Sequence, residues 1–349
     1  MTIKIKDIQC HVSQIKLNRT FVTAVRSTDY INDLHVDLIC DNGLIASGTA
    51  PATTLVIGET LTGMQAIIES YYKPILIGRT LEDLPEFIAM INRIVPFNSG
   101  AKMAIDTACY ALLAKLSNQN IACYLGAKKT NNKLESCVTI SCGEIQEVLS
   151  SVEIAINKGF KKLKIKLGTE INHDMEVTYQ IQNHLKGKTI SLLVDANQGW
   201  NYKETIQFIK YLEKMSIKIE LLEQPVHARD ISSMKKITYM SPFPIAADES
   251  VFNTDDALNL FTHDACDVIN IKLAKCGGIH QAIRLKTLAD CYHKSCMVGC
   301  MMESPLGISM AANVALALNI KLVDLDPIDW VNSNEYQSLL SYHTPYIEI

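Results

Sequence analysis

Apolar and polar positions along the chain fall into two regimes that meet near Gly126. At the start, Met1-Thr-Ile-Lys-Ile-Lys-Asp-Ile alternates polar and apolar residues with the period of a strand. Two further strand-like runs, Leu34 to Cys40 and Leu44 to Ala50, flank Asp41-Asn42-Gly43, whose Asn-Gly pair is a strong hairpin signal. Together the three runs predict a small antiparallel sheet. Helical periodicity follows near Leu61 to Tyr72, Leu81 to Asn92 and Ala101 to Leu116, with breaks expected at Lys73-Pro74 and at Pro96-Phe97-Asn98-Ser99-Gly100. Residues 1–126 therefore read as an α+β domain.

Beyond this point short β-rich apolar runs alternate with amphipathic helical stretches, the signature of βαβ units around a parallel sheet. Eight strands are expected: Cys137–Ser141, Lys162–Lys166, Ser191–Asp195, Ile219–Glu223, Pro244–Asp248, Val268–Lys272, Ser295–Val298 and Lys321–Leu325. From Lys166 to Val298 the successive strand ends lie 29, 28, 25, 24 and 26 residues apart, each enough for a strand, a loop and a helix. Eight parallel strands at that period close into an α/β barrel of the (β/α)8 type, whose chemistry sits at the C-terminal strand ends. The expected division is a capping domain at 1–126, a barrel at 127–326, and a segment at 327–349 that packs back on the capping domain.

Composition narrows the classes of partner. The formal charge of -4, from 33 basic and 37 acidic residues, creates no field that would gather nucleic acid or an anionic membrane. The N-terminus lacks the apolar core of a signal peptide, and the most apolar stretch, Ile308 to Ile320, is interrupted by Ser309, Asn313 and Asn319 and reads as a buried helix. Eleven scattered cysteines in a chain without an export signal fit a reducing cytoplasm rather than a disulfide framework. A small-molecule substrate is the default partner, and homo-oligomerisation is left open.

Five consecutive strand ends carry a charge where a buried strand prefers an apolar residue. Asp195 ends Leu-Leu-Val-Asp, Glu223 ends Leu-Leu-Glu, and Asp248 follows Ile-Ala-Ala. Three carboxylates converging in a half-buried site repel one another unless a cation neutralises them, and hard oxygen donors favour Mg²⁺, with Mn²⁺ as a substitute. In Asp248-Glu249-Ser250 either acid can serve, although Asp248 fits the strand phase better. Lys164 and Lys166 share one side of the second strand by its period of two, and Lys272 ends Val-Ile-Asn-Ile-Lys. The order Lys, Asp, Glu, Asp, Lys puts a basic group on either flank of the acids. A lysine near another ammonium and a divalent cation should have a lowered pKa, which suits a base that removes a proton next to a carboxylate. Lys275 with Gly277-Gly278 is also compatible with a weak phosphate-binding turn.

Laid end to end, Lys164-x-Lys166, Asp195-Ala-Asn197, Glu223-Gln-Pro225, Asp248-Glu-Ser250 and Asn270-x-Lys272 before Gly277-Gly278 resemble the muconate-lactonising subgroup of the enolase superfamily. The resemblance implies a modified, enolase-like barrel with one Mg²⁺ per subunit at Asp195, Glu223 and Asp248. It also implies Lys166 and Lys272 as an opposed acid/base pair, with Lys164 supporting the substrate carboxylate or tuning Lys166. Asp324-Leu325-Asp326 resembles the Asp-x-Asp signature of dipeptide epimerases, which would grip the substrate ammonium. Arg26 matches a capping-loop position that, in L-Ala-D/L-Glu epimerases, pairs with the glutamate side chain. The run Met297 to Glu303 is similar to the family's seventh strand end, with Cys300 and Met302 as residues able to reshape the pocket.

The resemblance therefore implies epimerisation of L-Ala-L-Glu and L-Ala-D-Glu at the Cα of the C-terminal residue. Two alternatives stand beside it. Muconate cycloisomerisation or o-succinylbenzoate synthesis would use the same scaffold, but those substrates carry no ammonium for Asp324 and Asp326. A non-catalytic binding barrel would have no need of a lysine on each face.

Overall fold

The computed structural model describes residues 3–22, 27–130 and 132–349. Three antiparallel strands, β1 (Ile5–Val22), β2 (Ser27–Cys40) and β3 (Ile45–Pro51), form the first sheet in that order. Alternate residues of β2, namely Leu34, Val36, Leu38 and Cys40, are buried and form its inner face. Against this face packs the helix Ser99–Leu116, itself buried along most of its length. Gly48 of β3 permits the contact, because a Cβ there would lie 2.1 Å from the Ala104 carbonyl oxygen.

One helix departs from the pattern read in the sequence. The helical stretch begun at Leu61 does not stop at Lys73-Pro74 but runs on to Leu76. Its turn Ile68–Tyr72 is widened to π geometry just before Pro74. Proline lacks an N–H and crowds the carbonyl of the preceding turn, and a widened turn relieves both demands without ending the helix.

Strand β4 (Lys133–Glu135) leads into the barrel, whose strands are β5 (Val138–Ile140), β6 (Lys162–Lys166), β7 (Ser191–Asp195), β8 (Leu221–Glu223), β9 (Ile245–Ala247), β10 (Val268–Ile271), β11 (Ser295–Gly299) and β12 (Val323–Asp324). They follow chain order as one parallel eight-stranded sheet. A parallel bridge from Ser136 to Val323 joins its two edges, so the sheet closes. The apolar stretch after Ile308 lies in the helix Pro305–Ala317, which is almost wholly buried. Among the described residues no helix is long and apolar enough to cross a membrane. The chain ends in β13 (Ser341–His343) and β14 (Tyr346–Glu348), and β14 pairs with β4. Trp330, just after the barrel, meets Phe21 of β1 edge-on at 5.3 Å.

Two buried aspartates tie the first domain to the barrel. Asp106 accepts from the backbone N–H groups of Ile279 at 2.5 Å and His280 at 3.4 Å, at the start of the helix Ile279–Cys291. Asp33 accepts from the N–H of Ser304, the residue that caps Pro305–Ala317, at 2.8 Å. Each fills a helix N-terminus whose amide donors would otherwise be unmatched. The anion-binding turn read at Gly277-Gly278 is thus occupied by a side chain of the protein itself.

Candidate active site

The site is built by register. In the parallel pairing Lys166 stands beside Asp195, and Asp195 beside Glu223, so three charged strand ends lie at one level. Below them Leu193, Leu221, Ala246, Val268 and Met297 form a separate apolar cluster. With this plug beneath, the charges are confined to the barrel mouth.

There, acids and lysines interleave. The Lys164 ammonium, 1% exposed, lies 2.9 Å from Asp195, 2.8 Å from Glu223 and 2.8 Å from Asp324. Lys166 reaches the same Asp195 oxygen at 2.6 Å. On the far side Lys272 bonds Asp248 at 2.6 Å, and Lys275 donates to the other Asp248 oxygen at 2.5 Å and to the Asn270 carbonyl at 3.1 Å. Burial alone would raise the pKa of Asp195 and Asp248, but Lys164 and Lys166 for the one, and Lys272 and Lys275 for the other, hold both below the usual carboxylate range. Lysine therefore supplies the neutralising charge that convergent carboxylates require.

Burial, and the neighbouring Lys164 ammonium, would lower the pKa of Lys272, but the Asp248 carboxylate outweighs them and holds it above the ordinary lysine value. In this arrangement Lys272 is held in its protonated form, ready to give a proton.

A divalent cation requires converging oxygen donors. Among the described residues no three His, Cys, Asp or Glu side chains already meet in metal-holding geometry. The mouth nevertheless has more acceptors than donors: Glu223 Oε2, Glu249 Oε2, Asn197 Oδ1 and Asn270 Oδ1 are buried without a hydrogen-bond donor. Lys164 approaches Glu223 Oε2 without the alignment of a hydrogen bond. Burial, followed by the charges of Asp248 and Asp195, pushes Glu249 up to about 7. Surplus buried oxygen acceptors fit a hard cation. Asp248 and Glu249 line the same cavity, so both acids of the Asp-Glu-Ser motif face it.

The eighth strand completes the cavity wall. Asp324 accepts from Lys164 at 2.8 Å and from the Cys137 thiol at 3.2 Å, while one Asp326 oxygen accepts from the Thr139 N–H at 2.8 Å. Lys166, Lys272, Asp324 and Asp326 all line one cavity, closed on another side by Cys300, Met301 and Met302. Arg26 lies outside the described residues. Lys275 was read in the sequence only as part of a phosphate turn. Its hold on Asp248 arises from the short helix Leu273–Cys276 folding back over the strand end, and residue spacing carries no sign of it.

Comparison with known proteins agrees with this architecture. Residues 8–126 match the mandelate racemase / muconate lactonizing enzyme N-terminal domain, and residues 147–341 match the enolase C-terminal domain-like family. The chain is 46% identical to the L-Ala-D/L-Glu epimerase of Francisella tularensis subsp. novicida, over 99% of this chain and 96% of that protein. Its structure is similar to that of a substrate-liganded L-Ala-D/L-Glu epimerase from Bacillus subtilis, with a TM-score of 0.95 at 32% identity, covering 99% of this chain and 96% of the other. It is also similar to the dipeptide epimerase of Enterococcus faecalis complexed with Mg and L-Leu-L-Tyr, with a TM-score of 0.92 at 32% identity over 99% and 97% of the two chains. With both domains matched and nearly the full length aligned, the chain belongs to the mandelate racemase / muconate lactonizing enzyme family of enolase-like barrels.

Proposed function

We propose that this protein is a dipeptide epimerase that interconverts L-Ala-L-Glu and L-Ala-D-Glu by moving one proton at the Cα of the C-terminal residue. The observation that carries the reading is topological. Lys166 ends β6 and Lys272 follows β10, four strands apart in a closed barrel of eight, and both line one cavity. A substrate between them presents opposite faces of its Cα to the two ammonium groups.

In one direction neutral Lys166 takes the α-proton; its N–H bond forms as the C–H bond breaks, and the electron pair passes into the carboxylate. Protonated Lys272 then returns a proton to the opposite face, and the roles exchange for the other epimer. Asp195, Glu223 and Asp248 would hold Mg²⁺, or Mn²⁺ in its place, which when bound supplies positive charge to the substrate carboxylate as it gains electrons. Lys164 balances the acids from below, and Asp324 and Asp326 receive the substrate ammonium. Arg26, by resemblance, pairs with the glutamate side chain. The curated relative at 46% identity supports that dipeptide, whereas the Enterococcus faecalis complex holds a hydrophobic one. All eleven cysteines are free thiols, which supports a cytoplasmic setting.

The test is incubation of L-Ala-D-Glu with the protein and Mg²⁺ in D₂O. The expected result is L-Ala-L-Glu carrying deuterium at the glutamate Cα. In Lys166→Ala and Lys272→Ala turnover should fall by at least about 10²-fold with Mg²⁺ binding retained. Recovery of unlabelled, unepimerised dipeptide would refute the assignment.

A further inference from the structure

A second cavity, of about 590 Å³, opens between the N-terminal domain and the barrel. It adjoins the active-site cavity across the short helix Thr54–Ile57, with Val56 lining the first and Ile57 the second. We infer that it binds a small organic anion, with Lys102 as the receptor for its acidic group.

Lys102 belongs to the helix Ser99–Leu116, lines this cavity and is 5% exposed. Among the described residues its ammonium has neither a hydrogen bond nor a carboxylate within ion-pair distance, unlike Lys164, Lys166, Lys272 and Lys275. Its stem is buried while its ammonium keeps access to the cavity, so the charge escapes full desolvation and is left to meet whatever enters. The nearby Glu59 favours the charged form of Lys102 from a distance but makes no hydrogen bond to it, its carboxylate being held by the N–H groups of Gly100 at 2.7 Å and Ala101 at 3.2 Å. Arg284, on the barrel side of the cavity, likewise has no acid within ion-pair distance among the described residues. Asp255 is the acidic residue of the lining, so the cavity is cationic on balance. Lys275 also reaches the wall, but its donors are spent on Asp248 and Asn270.

The remaining wall defines the other part of the ligand. It is mixed: Ile57, Pro96 and Phe252 are apolar and Phe97 stands at the rim, 88% exposed, while Asn92, Asn98, Asn253, Thr254 and Gln281 offer hydrogen-bonding groups. A cleft of several hundred Å³ with convergent polar groups beside a few apolar side chains can orient a small molecule. The ligand class is therefore a carboxylate, sulfonate or phosphate on a small body with one apolar face, of a size the cavity can hold.

The test uses naphthalene-1-sulfonate and inorganic phosphate as probes, titrated calorimetrically into the full-length protein in Mg²⁺. Naphthalene-1-sulfonate should bind once per chain, and Lys102→Met and Arg284→Gln should each weaken it by about tenfold or more, the loss expected for one charge-assisted contact. Lys166→Ala, which alters the other cavity, should leave its affinity unchanged. The inference is overturned by absence of binding, by wild-type affinity in both cavity variants, by loss of binding in Lys166→Ala, or by binding of phosphate alone. Arg284 is on the surface, so its variant decides the matter even where Lys102→Met folds poorly.

Discussion

Replacing Lys164 with methionine keeps the length of the side chain and removes the charge that three acids share. Asp195, Glu223 and Asp324 all lie within 2.9 Å of that ammonium, in a setting closed to water. Among the described residues Asp195 retains Lys166, while Glu223 retains only the amide of Asn270 and Asp324 only the Cys137 thiol. Removing one partner of a buried ion pair costs ~3–5 kcal/mol, and the three contacts do not add because they belong to one charge. With an unfolding entropy of about 2.1 cal/mol/K per residue, a chain of this length loses roughly 4–7 °C of melting temperature. The assay is differential scanning fluorimetry of wild type and Lys164→Met in EDTA, repeated in Mg²⁺. A divalent cation among the acids takes over the neutralisation, so Mg²⁺ should raise the melting temperature of the variant more than that of wild type. A variant that melts within about 1 °C of wild type in EDTA would refute the reasoning, because the shared ammonium would then not be what keeps the acids together.

Four further variants have outcomes set by the geometry. A Cβ at Gly299 would sit 2.6 Å from Asn270 Oδ1 and 3.0 Å from Lys272 Cε, so Gly299→Ala should displace the lysine. Its kcat should fall by about tenfold or more with KM little changed, as expected when a proton donor is misplaced by a fraction of an ångström. Asp326→Asn should raise KM for L-Ala-L-Glu while leaving the melting temperature near wild type. Asp324→Asn should lower both stability and activity, because only Asp324 also partners Lys164. Burial pushes Asp106 up to about 8 against the helping N–H groups of Ile279 and His280. An acid raised in the folded state contributes stability that is complete below the ordinary carboxylate range and is lost as pH rises through about 8. Asp106→Asn removes that titration, so between pH ~5 and ~8 its melting temperature should decline less than that of wild type.

Much of the site was legible because strands and helices repeat. The 24- to 29-residue spacing of charged strand ends encodes a barrel, since the spacing is set by the length of one strand, one helix and two loops. Lys166, Asp195 and Glu223 are the last residues of their observed strands, while Asp248 and Lys272 immediately follow theirs. Less legible was the long hairpin of β1 and β2, whose outer parts reach well beyond the alternating runs. Around Ser13, Gln14, Asn32 and Asp33 the pairing is made by backbone hydrogen bonds, and those leave no apolar pattern to read. The run through Pro74 was hidden for the opposite reason, because the local signal for a break is real and is overridden by a widened turn.

By itself, then, the sequence determined which residues carry charge at the barrel mouth and in what order, because covalent spacing and strand period decide both. Tertiary structure decided how those charges pair. Lys164 lies among three acids from three strands, 31 to 160 residues away in the chain, and Lys275 folds back on Asp248. It also decided that Asp106 and Asp33 close the N-termini of two barrel helices across the domain boundary. Such pairings depend on distances of a few ångströms between segments far apart along the chain, and Coulomb and hydrogen-bond energies fall off too steeply for any periodicity to encode them.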